Sequence, residues 1–141
     1  MFATIVGATD GSPHGDRALA LAESMAREAK ARLVVVHVVE LVGGKDGVYP
    51  ATADEDVIQL RIEAEVEKLC ADGMDATLIV RSTRLGGPAH EIADAAAAVQ
   101  ADVIVVGTRG QSLVSGFLLG SVPIRLLHIT HRPVLVVPPA D

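Results

Sequence analysis

Aromatic residues are almost missing. Phe2, Tyr49 and Phe117 are the only three in 141 positions, and there is no tryptophan. A protein that stacks single-stranded nucleic acid on aromatic rings can hardly be built from this set. Cysteine is just as scarce: Cys70 stands alone, which excludes an internal disulfide and a cysteine-based zinc cluster and points to a cytoplasmic setting. No apolar run approaches the ~20 residues that a membrane-spanning helix needs. The chain opens directly on a β-branched apolar segment, with no basic leader and no cleavage pattern, so no signal peptide is read. Positive charge is also short. Twelve Lys and Arg against 18 Asp and Glu leave a net charge of −6, which argues against general binding to a nucleic-acid backbone.

What is present fits one ordinary domain, residues 1–141, with half of its residues hydrophobic and 21% charged. The acidic residues are unevenly placed. Residues 103–140 contain no Asp or Glu but carry Arg109, Arg125, His128, His131 and Arg132. An anion meets less repulsion there than elsewhere on the chain, although a chance gap in a short segment looks the same.

Apolar segments alternate between two kinds. Residues 3–9 (ATIVGAT), 32–40 (RLVVVHVVE), 75–81 (DATLIVR), 102–106 (DVIVV) and 133–137 (PVLVV) are short and β-branched, and read as strands. The unbroken valines of the second are the pattern of a strand buried on both faces. Between them lie helical patterns. Ser12-Pro13 is an N-cap followed by a proline at the first helical position, and Leu19, Ala22, Met25, Ala26 and Ala29 continue a stripe to residue 29 or 30. Gly43, Gly44, Gly47 and Tyr49-Pro50 predict a flexible loop within residues 40–59, the segment expected to be most mobile. Thr52 and Glu55 have the spacing of a capping box for a second helix with Ile58, Ile62, Val66 and Leu69 on its buried face. A third helix is predicted from Gly87-Pro88 to Gln100, and a fourth over 121–130. Five strands alternating with four helices imply a parallel sheet covered on both faces.

In such a sheet ligands bind beyond the carboxyl ends of the strands, where the strand order reverses. Two strand ends carry informative residues: Ala8-Thr9-Asp10-Gly11 and Val106-Gly107-Thr108-Arg109-Gly110. The second begins a loop in which Gly110 is followed, nine residues later, by Gly120-Ser121. Glycines at 107 and 110 let backbone N–H groups approach a ligand and form an anion nest. Gly120-Ser121 stands at a helix start, where unpaired amides and the helix dipole favour phosphate. The Ser121 hydroxyl adds a donor, and Arg109 is the loop's one permanent positive charge. Pro123 falls in the first turn, where it costs no intrahelical bond. The loop is neither a Walker A motif, lacking a Lys before Ser121, nor the G-x-G-x-x-G dinucleotide fingerprint. Phosphate binding and an ordinary glycine-rich crossover with a Ser cap both fit these local signals.

The pattern Gly107-x-x-Gly110, nine residues, Gly120-Ser121 resembles the signature of ATP-binding members of the universal stress protein family. So do Asp10-Gly11-Ser12 after the first strand, His37-Val38 in the second and residues 133–137 at the end. The resemblance covers essentially the whole chain. It implies a Rossmann-like α/β fold of the adenine nucleotide alpha hydrolase type, with five parallel strands in the order 3-2-1-4-5. It implies that Ala8, Thr9 and Asp10 line the adenosine and ribose side, with Asp10 near the ribose or a magnesium-bound phosphate. Val38 would meet adenine through its backbone. Val106, Gly107, Arg109 and Gly110 would follow the ribose and phosphates, and Gly120, Ser121 and Val122 would hold the phosphates. It further implies a homodimer in which Pro133, Val134, Leu135, Val136 and Val137 pair with their counterparts. Residues 111–119 contain no Lys or Arg, so magnesium would have to neutralise much of a triphosphate.

Other chemistry-bearing residues have plainer readings. Asp10 also suits an Asx turn beside Gly11. His37 lies in an apolar run and reads as a satisfied core histidine. His14 and His90, near helix starts, read as surface residues, and His128 and His131 suit a helix C-terminus. Cys70 is expected to be buried and inert. No carboxylate pair, Ser-His-Asp set or metal-ligand cluster is visible in the sequence. The resemblance implies an ATP-binding regulatory module of the stress response, and the residues nominate no catalytic set beyond Asp10. A slow ATPase or phosphotransfer activity, or a ligand-free dimeric scaffold, is the alternative.

Overall fold

The computed structural model describes residues 1–83, 87–108 and 120–139. Five strands, β1 (Thr4–Thr9), β2 (Arg32–Val39), β5 (Ala76–Ser82), β6 (Val103–Gly107) and β7 (Val134–Val137), form one parallel sheet in the order β5-β2-β1-β6-β7. This is the expected order 3-2-1-4-5. Four helices connect them: α1 (Pro13–Ala29), α2 (Glu55–Ala71), α3 (Pro88–Ala98) and α4 (Ser121–Ile129). The sequence-predicted bounds differ from these by no more than two residues; the capping box at Thr52 places the start of α2 at residue 53, and α2 begins at Glu55. The chain between β2 and α2 differs more. Instead of a plain loop it holds an antiparallel hairpin, β3 (Leu41–Gly44) and β4 (Gly47–Pro50), closed by Lys45-Asp46. Gly47 has φ +112°, a conformation that glycine adopts cheaply.

Side-chain parity organises the core. Strand residues alternate between the two faces, and the odd-numbered ones, Ile5, Leu33, Val35, Val103 and Val105, pack against Leu19, Ala22 and Ala26 of α1 and Ile58, Ile62, Val66 and Leu69 of α2. The even-numbered ones, Val6, Val34, Val36, Ile104 and Val106, pack against Ala89, Ile92, Ala95 and Ala96 of α3 and Leu126 of α4. Burying each large aliphatic side chain contributes roughly 1.5–3 kcal/mol. Alanine in α1 and α3 and Gly7 in β1 bring helix and sheet close. A Cβ on Gly7 would lie 3.0 Å from Cβ of Ala22.

At the amino ends of the strands, Asp102 accepts the amides of Ala3 and Thr4 at 2.7 and 2.9 Å. These two bonds hold its carboxyl below the usual carboxylate range. The opposite, carboxyl-terminal edge is where the order reverses, between β1 and β6.

Candidate functional site

At that edge a cavity of about 180 Å³ opens between the ends of β1, β2 and β6 and the starts of α1, α3 and α4. At ~30 Å³ per water molecule this is room for a polar molecule rather than for a single ion. Parity selects much of the wall. Ala8 of β1 and Asp10 just beyond it, Val38 of β2 and Glu40 just beyond it, and Val106 of β6 continue the even-numbered rows. Thr9, Gly107, Gly120, Ser121 and Val122 complete the part expected from the sequence. Arg109 and Gly110 lie outside the described residues. Gly15, Glu40, Pro88, Ile92 and Pro123 also line the cavity and were not among the expected nucleotide residues. Glu40 had a usable signal, since it stands two residues beyond Val38 on the same strand face. Pro88 and Ile92 are four apart at the start of α3, which places them on one helical face.

The turn after β1 is held by its own side chains. Thr9 Oγ1 accepts the Gly11 amide at 3.0 Å, and Asp10 Oδ1 accepts the Ser12 amide at 2.9 Å, an Asx turn. Ser12 then caps α1 by accepting the Gly15 amide at 3.2 Å. Gly11 has φ +85°, which explains the glycine there. Gly15 has a different reason. A Cβ on it would lie 2.5 Å from Thr9 Oγ1 and 3.1 Å from Asp10 Oδ1, so only glycine lets α1 start this close to the turn.

The start of α4 offers fewer donors than its sequence suggests. The Gly120 amide is already used, donating to the Thr108 carbonyl at 2.6 Å. Pro123 has no N–H. The amides of Ser121 and Val122 have no acceptor within the helix, and with the Ser121 hydroxyl they are hydrogen-bond donors at the cavity wall. Gly120 itself is extended, φ −64° and ψ 170°.

His37 is 1% exposed and is a satisfied core histidine, as its apolar surroundings suggest. Nδ1 contacts the Thr9 carbonyl at 3.0 Å and Nε2 contacts Oε1 of Glu55. A carbonyl only accepts, so Nδ1 carries a proton and donates it. The contact of Nε2 with Glu55 then needs a second proton between the two. Glu55 is therefore not a capping-box residue. The α2 N-cap is Asp54, no side chain caps the helix, and Glu55 turns inward to the histidine instead. Cys70 is another correction: it is exposed, with Sγ donating to the Ala76 carbonyl at 3.1 Å. His14 and His90 are half-buried and outside the cavity lining, and His128 and His131 are exposed. Among the described residues no three His, Cys, Asp or Glu side chains are placed to hold a metal ion, and no helix is long and apolar enough to cross a membrane.

Known proteins resemble the chain over nearly its full length. A universal stress protein of Thermus aquaticus is 39% identical over 140 residues, covering 97% of this chain and 99% of that one. The crystal structure of a universal stress protein in complex with cAMP is 28% identical with a TM-score of 0.66, covering 96% of this chain and 97% of that one. The structure of the Archaeoglobus fulgidus universal stress protein in complex with dAMP is 27% identical with a TM-score of 0.63, at the same coverage of both chains. The universal stress protein family matches residues 1–138, and the chain belongs to that family.

Proposed function

We propose that this protein is a regulatory module that binds an adenine nucleotide, ATP with magnesium, in the cavity between β1 and β6. The observation that carries the reading is the convergence of nine of the eleven expected nucleotide residues on one cavity at the topological switch point. The complexes of two relatives with cAMP and dAMP support the adenine nucleotide class. Ala8, Val38 and Val106 supply an apolar slot for a base, Asp10 and Glu40 face the polar part of the ligand, and Ser121 and Val122 take phosphate oxygens. Magnesium between Asp10 and the phosphates would offset the repulsion of two carboxylates for a triphosphate. Occupancy would change the surface that residues 40–59 show to partners. A single domain acting in the cytoplasm as a homodimer through β7 belongs to the same proposal. β7 is the sheet's edge, and its exposed Leu135 (38%) is the kind of strand that a second copy would cover.

One feature favours a second reading, in which the ligand carries a single phosphate. With the Gly120 amide bonded and Pro123 lacking one, the helix start presents two amides, and two carboxylates stand opposite. Calorimetry with AMP, cAMP and ATP plus magnesium separates the readings. Tighter binding of ATP with magnesium supports the first, tighter AMP or cAMP the second, and no uptake of any of the three at millimolar concentration rejects both. Phosphate release that disappears in Asp10→Ala would make the protein a slow ATPase instead.

A further inference from the structure

One face of α2 reaches the β1–α1 turn from three positions three residues apart, directly from two and through His37 from the third, although none of the three lines the cavity. Glu55 reaches it through His37, whose Nδ1–H holds the Thr9 carbonyl at 3.0 Å. Ile58 packs directly on Gly11, where an added Cβ would overlap its Cγ2. Arg61 donates from Nη2 to the Gly11 carbonyl at 3.0 Å and from Nη1 to Asp16 Oδ2 at 3.2 Å. Residues spaced by three in a helix share one face, and strand parity turns Thr9 and its register partner His37 toward α2 while Ala8 and Val38 face the cavity. The turn at 9–11 is therefore gripped from behind by α2 and presents Asp10 to the cavity in front.

We propose that Glu55, Ile58 and Arg61 are positioning residues: the first two turns of α2 fix the β1–α1 turn in the geometry that receives the ligand. The grip also joins the cavity to the hairpin β3–β4, which directly precedes α2. The effect on affinity rests on the nucleotide reading above, but the effect on the turn does not.

The test uses the full-length chain and two readouts: amide hydrogen exchange at Gly11 and Ser12, and calorimetric affinity for AMP and for ATP with magnesium. Arg61 is substantially exposed, at 45% of its side chain, so Arg61→Met removes two bonds without opening the core. Loss of hydrogen bonds from a charged donor, weakened by solvent, is expected to speed exchange and lower affinity by about five- to tenfold. Arg61→Lys restores part of this, and Lys68→Met, which removes the same charge from the other end of α2, changes neither readout. Glu55→Ala is expected to act like Arg61→Met. Glu55→Gln keeps both readouts near wild type, because its amide can donate to Nε2 while Nδ1–H still holds Thr9. Wild-type exchange at Gly11 and Ser12 in Arg61→Met overturns the grip. So does an equal loss of affinity in Lys68→Met, which would make the effect one of net charge. If the wild type takes up neither nucleotide, the proposed function fails, and the exchange readout alone decides whether α2 fixes the turn.

Discussion

Replacing Gly15 with alanine sets two effects of opposite sign against each other at the edge of the cavity. Gly15 is the third residue of α1, and in a helix alanine is better than glycine by about 1 kcal/mol. Propensity alone therefore expects Gly15→Ala to stabilise the protein. The packing says otherwise. The new methyl would sit 2.5 Å from Thr9 Oγ1, 3.1 Å from Asp10 Oδ1 and 3.2 Å from the Asp10 amide. Thr9 can escape only by rotating Oγ1 away from the Gly11 amide, which forfeits a hydrogen bond of about 0.5–1.5 kcal/mol. The contact with the Asp10 backbone needs a movement of the turn itself, and overpacking of this kind costs about 1–3 kcal/mol. Set against the propensity gain, the net expectation is a loss of about 1 kcal/mol, or roughly 3 °C in melting temperature for a chain of this size. The displaced groups are Thr9 and Asp10, so nucleotide affinity should fall more than stability does. Thermal unfolding and calorimetry on the same preparation read both. A melting temperature above wild type with affinity unchanged would refute the claim that the close approach of α1 to the turn shapes the site.

Gly120→Val keeps a backbone conformation open to any residue, φ −64°, and places a side chain at the cavity wall; at least about tenfold weaker binding is expected from steric exclusion, with unfolding of the free protein unchanged. Glu23 of α1 provides a pH test. Burial, then its hydrogen bond to Glu65 of α2, raises its carboxyl from 4.5 to about 7. The folded state therefore holds a proton that the unfolded state releases, and stability falls as pH rises through that window. Denaturant unfolding of Glu23→Gln between pH 4.5 and 8 should show a flatter profile, with the variant gaining on wild type at the alkaline end. An unchanged slope would mean that the pair is fully solvated. Lys30 closes α1 with φ 54°, so Lys30→Gly should stabilise the chain by about 0.5–1 kcal/mol in the same assay.

Much of the fold was legible because its signals are local. The valines of β2 announced a strand buried on both faces, and residues 33–39 are buried. Ser12-Pro13 announced α1, and Ser12 caps it. The cavity lining was legible where a strand end or a helix start marks it, hence Ala8 to Asp10, Val106, Gly107, Gly120 and Ser121, whereas Val38 and Val122 came from the family resemblance. The site was not legible where a residue is claimed from far away. Glu55 matches a capping box with Thr52, three residues off, but its carboxylate goes to His37, 18 residues away, and no local pattern contains that pairing. Similarly, the spent amide of Gly120 depends on the carbonyl of Thr108 across the loop. The hairpin β3–β4 escaped because its strands have four residues each and are almost wholly exposed, so no apolar alternation marks them. Cys70 was placed in the core by residue type, yet it lies one residue past the buried Leu69, off the helix face that packs on the sheet.

The central claim, that the cavity between β1 and β6 receives an adenine nucleotide, is tested most directly by a crystal structure of the chain grown with ATP and magnesium. The account predicts nucleotide density between Val38 and Ser121, with phosphate oxygens at the Ser121 and Val122 amides. Density at another surface, or an empty cavity at saturating ligand, would contradict it.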